Sequence, residues 1–190
     1  MTMMIQMIRQ ITILQKIQIK EKQMIKIIDG NILDSKADFI LHQVNCCGKM
    51  NSGVAKTLRN FNEGMFQHYY FKYDRFRKSN MINELLGNND YYWLMNHGES
   101  QCVVSMFAQD KYGYDGKQYT DIGAFIECLR RFKANWPAWV EECDELRNTT
   151  VALPYKIGCG NGGADWENDI YPIIKRELAD YKVELWRYDG

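Results

Sequence analysis

Phe39, Ile40, Leu41, His42, Gln43, Val44 and Asn45 form a nearly continuous apolar stretch that runs straight into a glycine-containing loop. A strand that is apolar at successive positions, rather than at every second one, is covered on both of its faces. Such a strand belongs in the middle of a layered α/β sheet, with helices above and below. The neighbouring sequence supplies the other layers. Ile25, Lys26, Ile27 and Ile28 spell a short first strand closed by Asp29 and Gly30. Apolar residues recur at helical spacing over 54–78 (Val54, Leu58, Phe61, Met65, Phe66, Tyr69), with breaks near 62–64 and 79–80, and this predicts two helices. Residues 91–95 and 102–107 read as strands paired around a turn at Asn96, His97 and Gly98. Residues 120–143 are helical with an interruption or bend at Pro137, 150–154 a strand, 166–178 a helix and 183–186 a final strand.

No internal repeat or linker divides this series, so residues 24–190 are assigned to one domain. A chain of 190 residues is long enough to bury roughly 70% of its unfolded surface. With 13% aromatic residues and three prolines it has ample apolar area to offset the entropy of ordering. Its 24 basic side chains are balanced by 24 acidic ones, which excludes the broad basic field on which non-specific nucleic-acid or anionic-membrane binding draws. A polyanionic ligand must therefore meet a local site. The six cysteines (Cys46, Cys47, Cys102, Cys128, Cys143, Cys159) show neither a CxxC pair nor an evenly spaced framework, and read as reduced thiols of a cytoplasmic protein. Cys46 and Cys47 are adjacent and point to opposite faces of a strand, so they do not chelate one ion together, and neither a metal site nor a cofactor is expected.

Residues 1–23 are rich in Ile, Met and Gln, with Met3, Met4 and Ile5 as their longest unbroken apolar run. That is neither a signal peptide nor a membrane span. The alternation over 16–20 fits an extra edge strand, with a short amphipathic segment as the rival reading. In a third reading, Lys20, Glu21, Lys22 and Gln23 are what a purine-rich ribosome-binding stretch would encode, making Met24 the start. The intact mass of the protein from its own host tests this.

Chemistry in α/β folds collects where strands end and glycine loops begin, because backbone N–H groups approach an anion there without interference from a Cβ. Two loops qualify. Residues 45–55, with Gly48 and Gly53, lead from the buried strand to a helix start; residues 157–164, with Gly158, Gly160, Gly162 and Gly163, lead from the 150–154 strand towards a helix opened by Asp165, Trp166 and Glu167. Glycines that merely serve turns are the alternative. Together the loops would hold a diphosphate from two sides, although neither is a Walker A or a GxGxxG loop. Asp165, Glu167 and Asp169 suit a helix start, where carboxylates complement the dipole. Cys159 is read as a small loop residue, since phosphocysteine chemistry expects Cys-x5-Arg and no Arg follows within reach. Trp136 and Trp139 are read as packing residues, His68 as a helix-surface residue and His97 as a turn residue.

Three motifs in order carry a family resemblance: Gly30 to Leu33 after the first strand; His42 to Cys46 with Asn51 to Ala55 after the second; and Leu153 to Gly160 ahead of Asp165, Trp166 and Glu167. Over about residues 24–189 the chain resembles a macro domain, in the branch that includes the human terminal ADP-ribose glycohydrolase, the yeast ADP-ribose 1″-phosphate phosphatase and many bacterial and phage proteins. The resemblance implies a three-layer α/β/α fold around a central mixed sheet, with ADP-ribose bound in a cleft over the sheet. Asn31 matches a position usually held by an Asp that accepts from the adenine amino group, a bond an Asn carbonyl can also accept. Ile32 would pack near the adenine, and Asn45 matches an Asn that contacts the distal ribose. Gly53, Val54 and Ala55 match backbone contacts to diphosphate and ribose, and Ile157, Gly158, Cys159, Gly160 and Asn161 match the second phosphate loop. For Ile32, Val54 and Ile157, plain core packing is the competing reading. Tyr119, with Tyr112 or Tyr114, would flank the ribose end.

Glycohydrolases that resemble this chain use a Lys after the strand that here ends at Phe107 and an Asp in the glycine loop. The Asp position falls on Gly162, and the Lys position on Lys111 or Gln109 according to how the intervening loop is gapped. Without the amine and its acid partner a covalent glycohydrolase mechanism loses its chemistry. His42, three positions before Asn45, matches a His of the yeast-like phosphatase and would relay a proton to a phosphate oxygen. A satisfied core histidine is the alternative, and period 2 sets it on the face opposite Asn45 unless the strand ends or twists. The expected function is thus ADP-ribose binding with metal-free hydrolysis of a derivative such as the 1″-phosphate. The alternatives are a non-catalytic reader of ADP-ribose or ADP-ribosylated protein, and a hydrolase that removes ADP-ribose from modified protein or nucleic acid. The protein is expected to be a monomer with no membrane partner.

Overall fold

The computed structural model describes residues 25–136 and 149–188. The proposed leader strand at 16–20, the question of Met24, Trp139, Cys143 and the helix beyond Pro137 lie outside the described residues. Six strands are present: β1 (Ile25–Asp29), β2 (Phe39–Asn45), β3 (Asn89–Asn96), β4 (Glu99–Gln109), β5 (Thr150–Pro154) and β6 (Lys182–Arg187). They form one mixed sheet in the order β1-β6-β5-β2-β4-β3. Every pair is parallel except the β3–β4 hairpin, so five strands end at one edge of the sheet.

Four helices cover it: α1 (Gly53–Phe61), α2 (Glu63–Lys78), α3 (Ile122–Asn135) and α4 (Tyr171–Glu177). Alternation along β2 divides the interior. Phe39 and Leu41 join Val104, Val151 and Leu185 under Phe125, Leu129 and Phe132 of α3 and Ile174 of α4. Ile40 faces the other way, onto Leu58 of α1 and Met65 of α2, while Val44 meets Met50 and Tyr69. Both faces of β2 are therefore covered, which is why its sequence is apolar at successive positions from Phe39 to Leu41; Leu41 and Val44 are each under 3% exposed. The result is the expected three-layer α/β/α arrangement.

Two details depart from the sequence reading. The helix expected over 166–178 opens as a π turn, Trp166–Ile170, before α4 begins. Pro172 is the cause: it lacks the N–H that would bond Asn168 and its ring presses on that carbonyl, so the preceding turn widens, and the Ile170 N–H reaches back five residues to the Asp165 carbonyl at 3.0 Å. Asp165 caps this turn by accepting from Glu167 and Asn168 N–H at 2.9 and 3.0 Å. The second departure is a bulge: Val44 pairs with Phe107 but Asn45 with Gln109, leaving Ala108 unpaired. Bulges re-aim side chains at sheet rims, and this one lies where β2 enters its loop.

Candidate functional site

Ligands of open α/β sheets bind beyond the carboxyl ends of the parallel strands, and a cleft of about 250 Å³ opens there between the loops after β2 and β5. The first loop is shaped by Asn45. Its Oδ1 accepts from Cys47 N–H at 3.0 Å and Lys49 N–H at 3.3 Å, its Nδ2 donates to the Lys49 carbonyl at 2.8 Å, and the Tyr69 hydroxyl donates to its main-chain oxygen at 2.8 Å. Asn45 is thus a turn organiser that lines the cleft, with one amide hydrogen left for a ligand. The loop delivers the start of α1, where Ser52 makes no side-chain capping bond and the first-turn N–H groups have no intrahelical acceptor. Gly53 sits at φ +53° with open space where a Cβ would stand.

The second loop folds on itself through Ile157 N–H to Pro154 O, Cys159 N–H to Lys156 O and Ala164 N–H to Gly158 O, at 3.0–3.1 Å. The N–H groups of Gly158, Gly160, Asn161 and Gly162 have no acceptor among the described residues, and all four residues line the cleft. Lys156 takes φ +57° on the rim, a left-handed conformation that costs a side-chain-bearing residue roughly 1–2 kcal/mol. Lys49 and Lys156 line the cleft, and among the described residues no Asp or Glu does.

His42 lines the cleft floor at 1% exposure. Its Nε2 shares a 2.8 Å hydrogen bond with Ser105 Oγ, while Nδ1 is buried without a partner. Burial pushes its pKa down to about 3, so the ring is neutral at physiological pH. His42, Gln43 and Asn45 all line the cleft, which lies beyond the carboxyl end of β2. Gln109 lines the cleft and Lys111 is exposed outside it, so of the two candidates for a catalytic amine position the one at the cleft is the amide. At Gly162 a Cβ would stand 2.3 Å from both Gly158 O and Thr120 Oγ1 and 2.9 Å from Gln109 Nε2, so no side chain fits.

Val54, Ala55, Ile157, Gly158, Gly160 and Asn161 are brought together at the cleft with these residues. Asn31 and Ile32 are not: Asn31 Oδ1 caps the 3-10 turn Ile32–Asp34 by accepting from Leu33 N–H at 3.0 Å, and Ile32 is inserted into the core beside Leu58 and Met65. Cys159 turns its thiol to Ile157 O, and burial raises its pKa to about 11, so no thiolate faces the cleft. Tyr119 donates to Asp115 Oδ1 at 2.8 Å and covers Gly113, leaving Tyr112 and Tyr114 at the cleft instead. His68 is an exposed residue of α2, as expected, and its Nδ1 bonds the buried Asp90 at 2.8 Å.

Sequence reasoning missed two residues that shape the second loop. Thr120 Oγ1 donates to Gly158 O at 2.8 Å and accepts from Gln43 Nε2 at 3.0 Å. A carboxamide inside an apolar strand was the available signal for Gln43; Thr120 had none beyond preceding a helix cap. Among the described residues no group of three or more His, Cys, Asp or Glu is arranged to hold a metal ion, and no helix is long and apolar enough to cross a membrane.

No family model and no curated protein sequence matches the chain. Solved structures do. The macrodomain of Thermus aquaticus DarG superposes with a TM-score of 0.63 at 21% identity, covering 88% of this chain and 99% of that one. A Streptomyces coelicolor macrodomain protein gives 0.62 at 19% identity, covering 87% and 99%. Thermosipho africanus DarTG, solved in complex with ADP-ribose, gives 0.63 at 17% identity, covering 87% of this chain and 42% of that longer one. With its six-stranded mixed sheet, flanking helices and cleft at the strand ends, this chain adopts the macrodomain fold.

Proposed function

We propose that the cleft binds ADP-ribose, free or attached to a larger molecule, and that the protein acts chiefly through this recognition. The observation that carries the reading is the pair of facing loops, whose residues with unpartnered N–H groups line one cleft together with Lys49 and Lys156 and, among the described residues, with no carboxylate. Backbone N–H groups at loop and helix starts are suited to phosphate oxygens, and two such loops match two linked phosphates. The ADP-ribose complex of the structurally similar Thermosipho africanus protein supports ADP-ribose among the possible diphosphates.

Hydrolysis of ADP-ribose 1″-phosphate is a second reading, favoured by the unpartnered His42 Nδ1 on the cleft floor. With Nε2–H given to Ser105, Nδ1 is an acceptor able to orient a water molecule. With a pKa of about 3 the ring is neutral and carries no acidic imidazolium proton to give to a leaving oxygen, which weighs on the side of binding. Covalent glycohydrolysis finds no support, since Gln109 and Gly162 offer neither amine nor carboxylate.

A ³¹P NMR series with ADP-ribose and ADP-ribose 1″-phosphate decides between them. Shifted or broadened diphosphate resonances without turnover are expected. Growth of inorganic phosphate above the protein-free control would make the protein a phosphatase, and unperturbed resonances with both ligands would overturn the reading.

A further inference from the structure

We propose that Gln43 and Thr120 are positioning residues that set the 158–163 loop in its anion-binding shape before a ligand arrives, an inference that rests on reading the cleft as a diphosphate site. Gln43 occupies the face of β2 that Phe39 and Leu41 give to the core. Burying a carboxamide there is costly unless its hydrogens are used, and both are: Nε2 donates to Ala108 O at 3.2 Å and to Thr120 Oγ1 at 3.0 Å. Ala108 is the residue that the bulge leaves out of the β2 ladder, and its carbonyl accepts from Asp121 N–H at 2.9 Å as well as from Gln43. The amide is oriented by this contact, because a flipped carboxamide would set oxygen against oxygen.

Having accepted from Gln43, the Thr120 hydroxyl passes its own hydrogen to Gly158 O at 2.8 Å. The Thr120 main-chain N–H donates to Gly162 O at 2.9 Å, as Tyr119 N–H does at 2.8 Å. One residue thus pins both ends of the span in which Gly160, Asn161 and Gly162 line the cleft, their N–H groups without an acceptor among the described residues. Close approach is the requirement. A Cβ on Gly158 would lie 2.6 Å from Gln43 Oε1, and one on Gly162 would lie 2.3 Å from Thr120 Oγ1. Gln43 Oε1 is buried without a hydrogen-bond partner among the described residues, on the side of Gly158 where a Cβ would stand. Leaving that oxygen unpaired is what directing the amide hydrogens at Thr120 entails.

Thr120 does not line the cleft, whereas its partner Gln43 does, so a change in the Thr120 hydroxyl acts on a ligand through the loop or through the Gln43 amide, and loop exchange in the ligand-free protein separates the two. Thr120→Val removes the hydroxyl at nearly constant shape, and Thr120→Ser retains it. In the ligand-free full-length protein, hydrogen-exchange mass spectrometry is expected to show faster exchange of peptides spanning 158–164 in Thr120→Val, wild-type exchange in Thr120→Ser, and unchanged protection of β4 in both. Calorimetric titration with ADP-ribose is expected to show affinity weakened roughly tenfold in Thr120→Val, the worth of one hydrogen bond, and restored in Thr120→Ser. If Thr120→Val does not fold, Gln43→Met serves in the exchange measurement, since it removes the inner donor and leaves the hydroxyl in place. Unchanged loop exchange in these variants, or equal loss in Thr120→Val and Thr120→Ser, would overturn the proposal. A wild-type protein without ADP-ribose affinity would remove the functional reading instead, while the exchange measurement still decides whether the clasp holds the loop.

Discussion

Substituting Gly162 by alanine adds a single methyl group where three walls already meet. The new carbon would stand 2.3 Å from Gly158 O, 2.3 Å from Thr120 Oγ1 and 2.9 Å from Gln109 Nε2. The Gln109 side chain can turn away, but a main-chain carbonyl pinned at 2.8 Å by Thr120 cannot move without breaking that bond. Forcing a methylene into packed surroundings costs about 1–3 kcal/mol, and the lost Thr120–Gly158 bond adds about 1 kcal/mol. Together these give a destabilisation of roughly 2–4 kcal/mol, which for a domain of this size lowers Tm by roughly 5–15 °C. The displaced carbonyl also takes the loop N–H groups with it, so diphosphate affinity falls in the same variant. Differential scanning fluorimetry with and without ADP-ribose measures both effects. A Gly162→Ala protein with wild-type Tm and wild-type stabilisation by ligand would refute this packing account. The same sterics govern Gly162→Asp: the carboxylate of a covalent glycohydrolase cannot be installed here by one substitution, and that variant is expected to lose binding without gaining turnover.

Three further outcomes are expected. An unfolded imidazole takes a proton near pH 6.5 but His42 resists protonation down to about 3, so below pH 6.5 the unfolded state binds more protons and stability falls by about 1.4 kcal/mol per pH unit until about pH 3; His42→Gln should flatten that part of a urea-denaturation series, and an unaltered slope would remove His42 as its source. Gly53→Val grows into the open cleft from a φ of +53°, so it should abolish ADP-ribose binding by calorimetry while costing only the roughly 1–2 kcal/mol of a left-handed residue. Cys159→Ala should leave ADP-ribose affinity within roughly threefold of wild type, as for side chains away from a site, and a loss of binding would mean that the thiol does more than pack against its own loop.

Much of the fold was legible because it is written in local periodicity. The residues of β2 are those its nearly continuous apolar run marked, 39–45, and the break between α1 and α2 falls at Asn62, whose Oδ1 accepts from Gly64 N–H at 2.9 Å. The π turn at 166–170 was missed although Pro172 signalled it, because helical periodicity alone does not register a missing N–H. At the site, glycine positions marked the two loops that line the cleft, and family correspondence gave Asn31, Ile32 and Tyr119 ligand roles as well; the structure adds that their side chains engage in a cap, the core and the Asp115 contact. A polar or apolar side chain has several ways to be satisfied, and only its neighbours decide among them.

The sequence by itself determined which segments become strands and helices and where the glycines interrupt them, since hydrogen-bonding period and conformational preference act over a few residues. Only the tertiary structure decided that β2 and β5, more than a hundred residues apart in the chain, lie side by side and set their loops face to face. It also decided that Ala108 bulges, that Gln43 reaches Thr120, and that Gly162 has no room for a carboxylate. Those outcomes depend on long-range packing, in which the burial of one strand against another fixes distances that no local sequence pattern encodes.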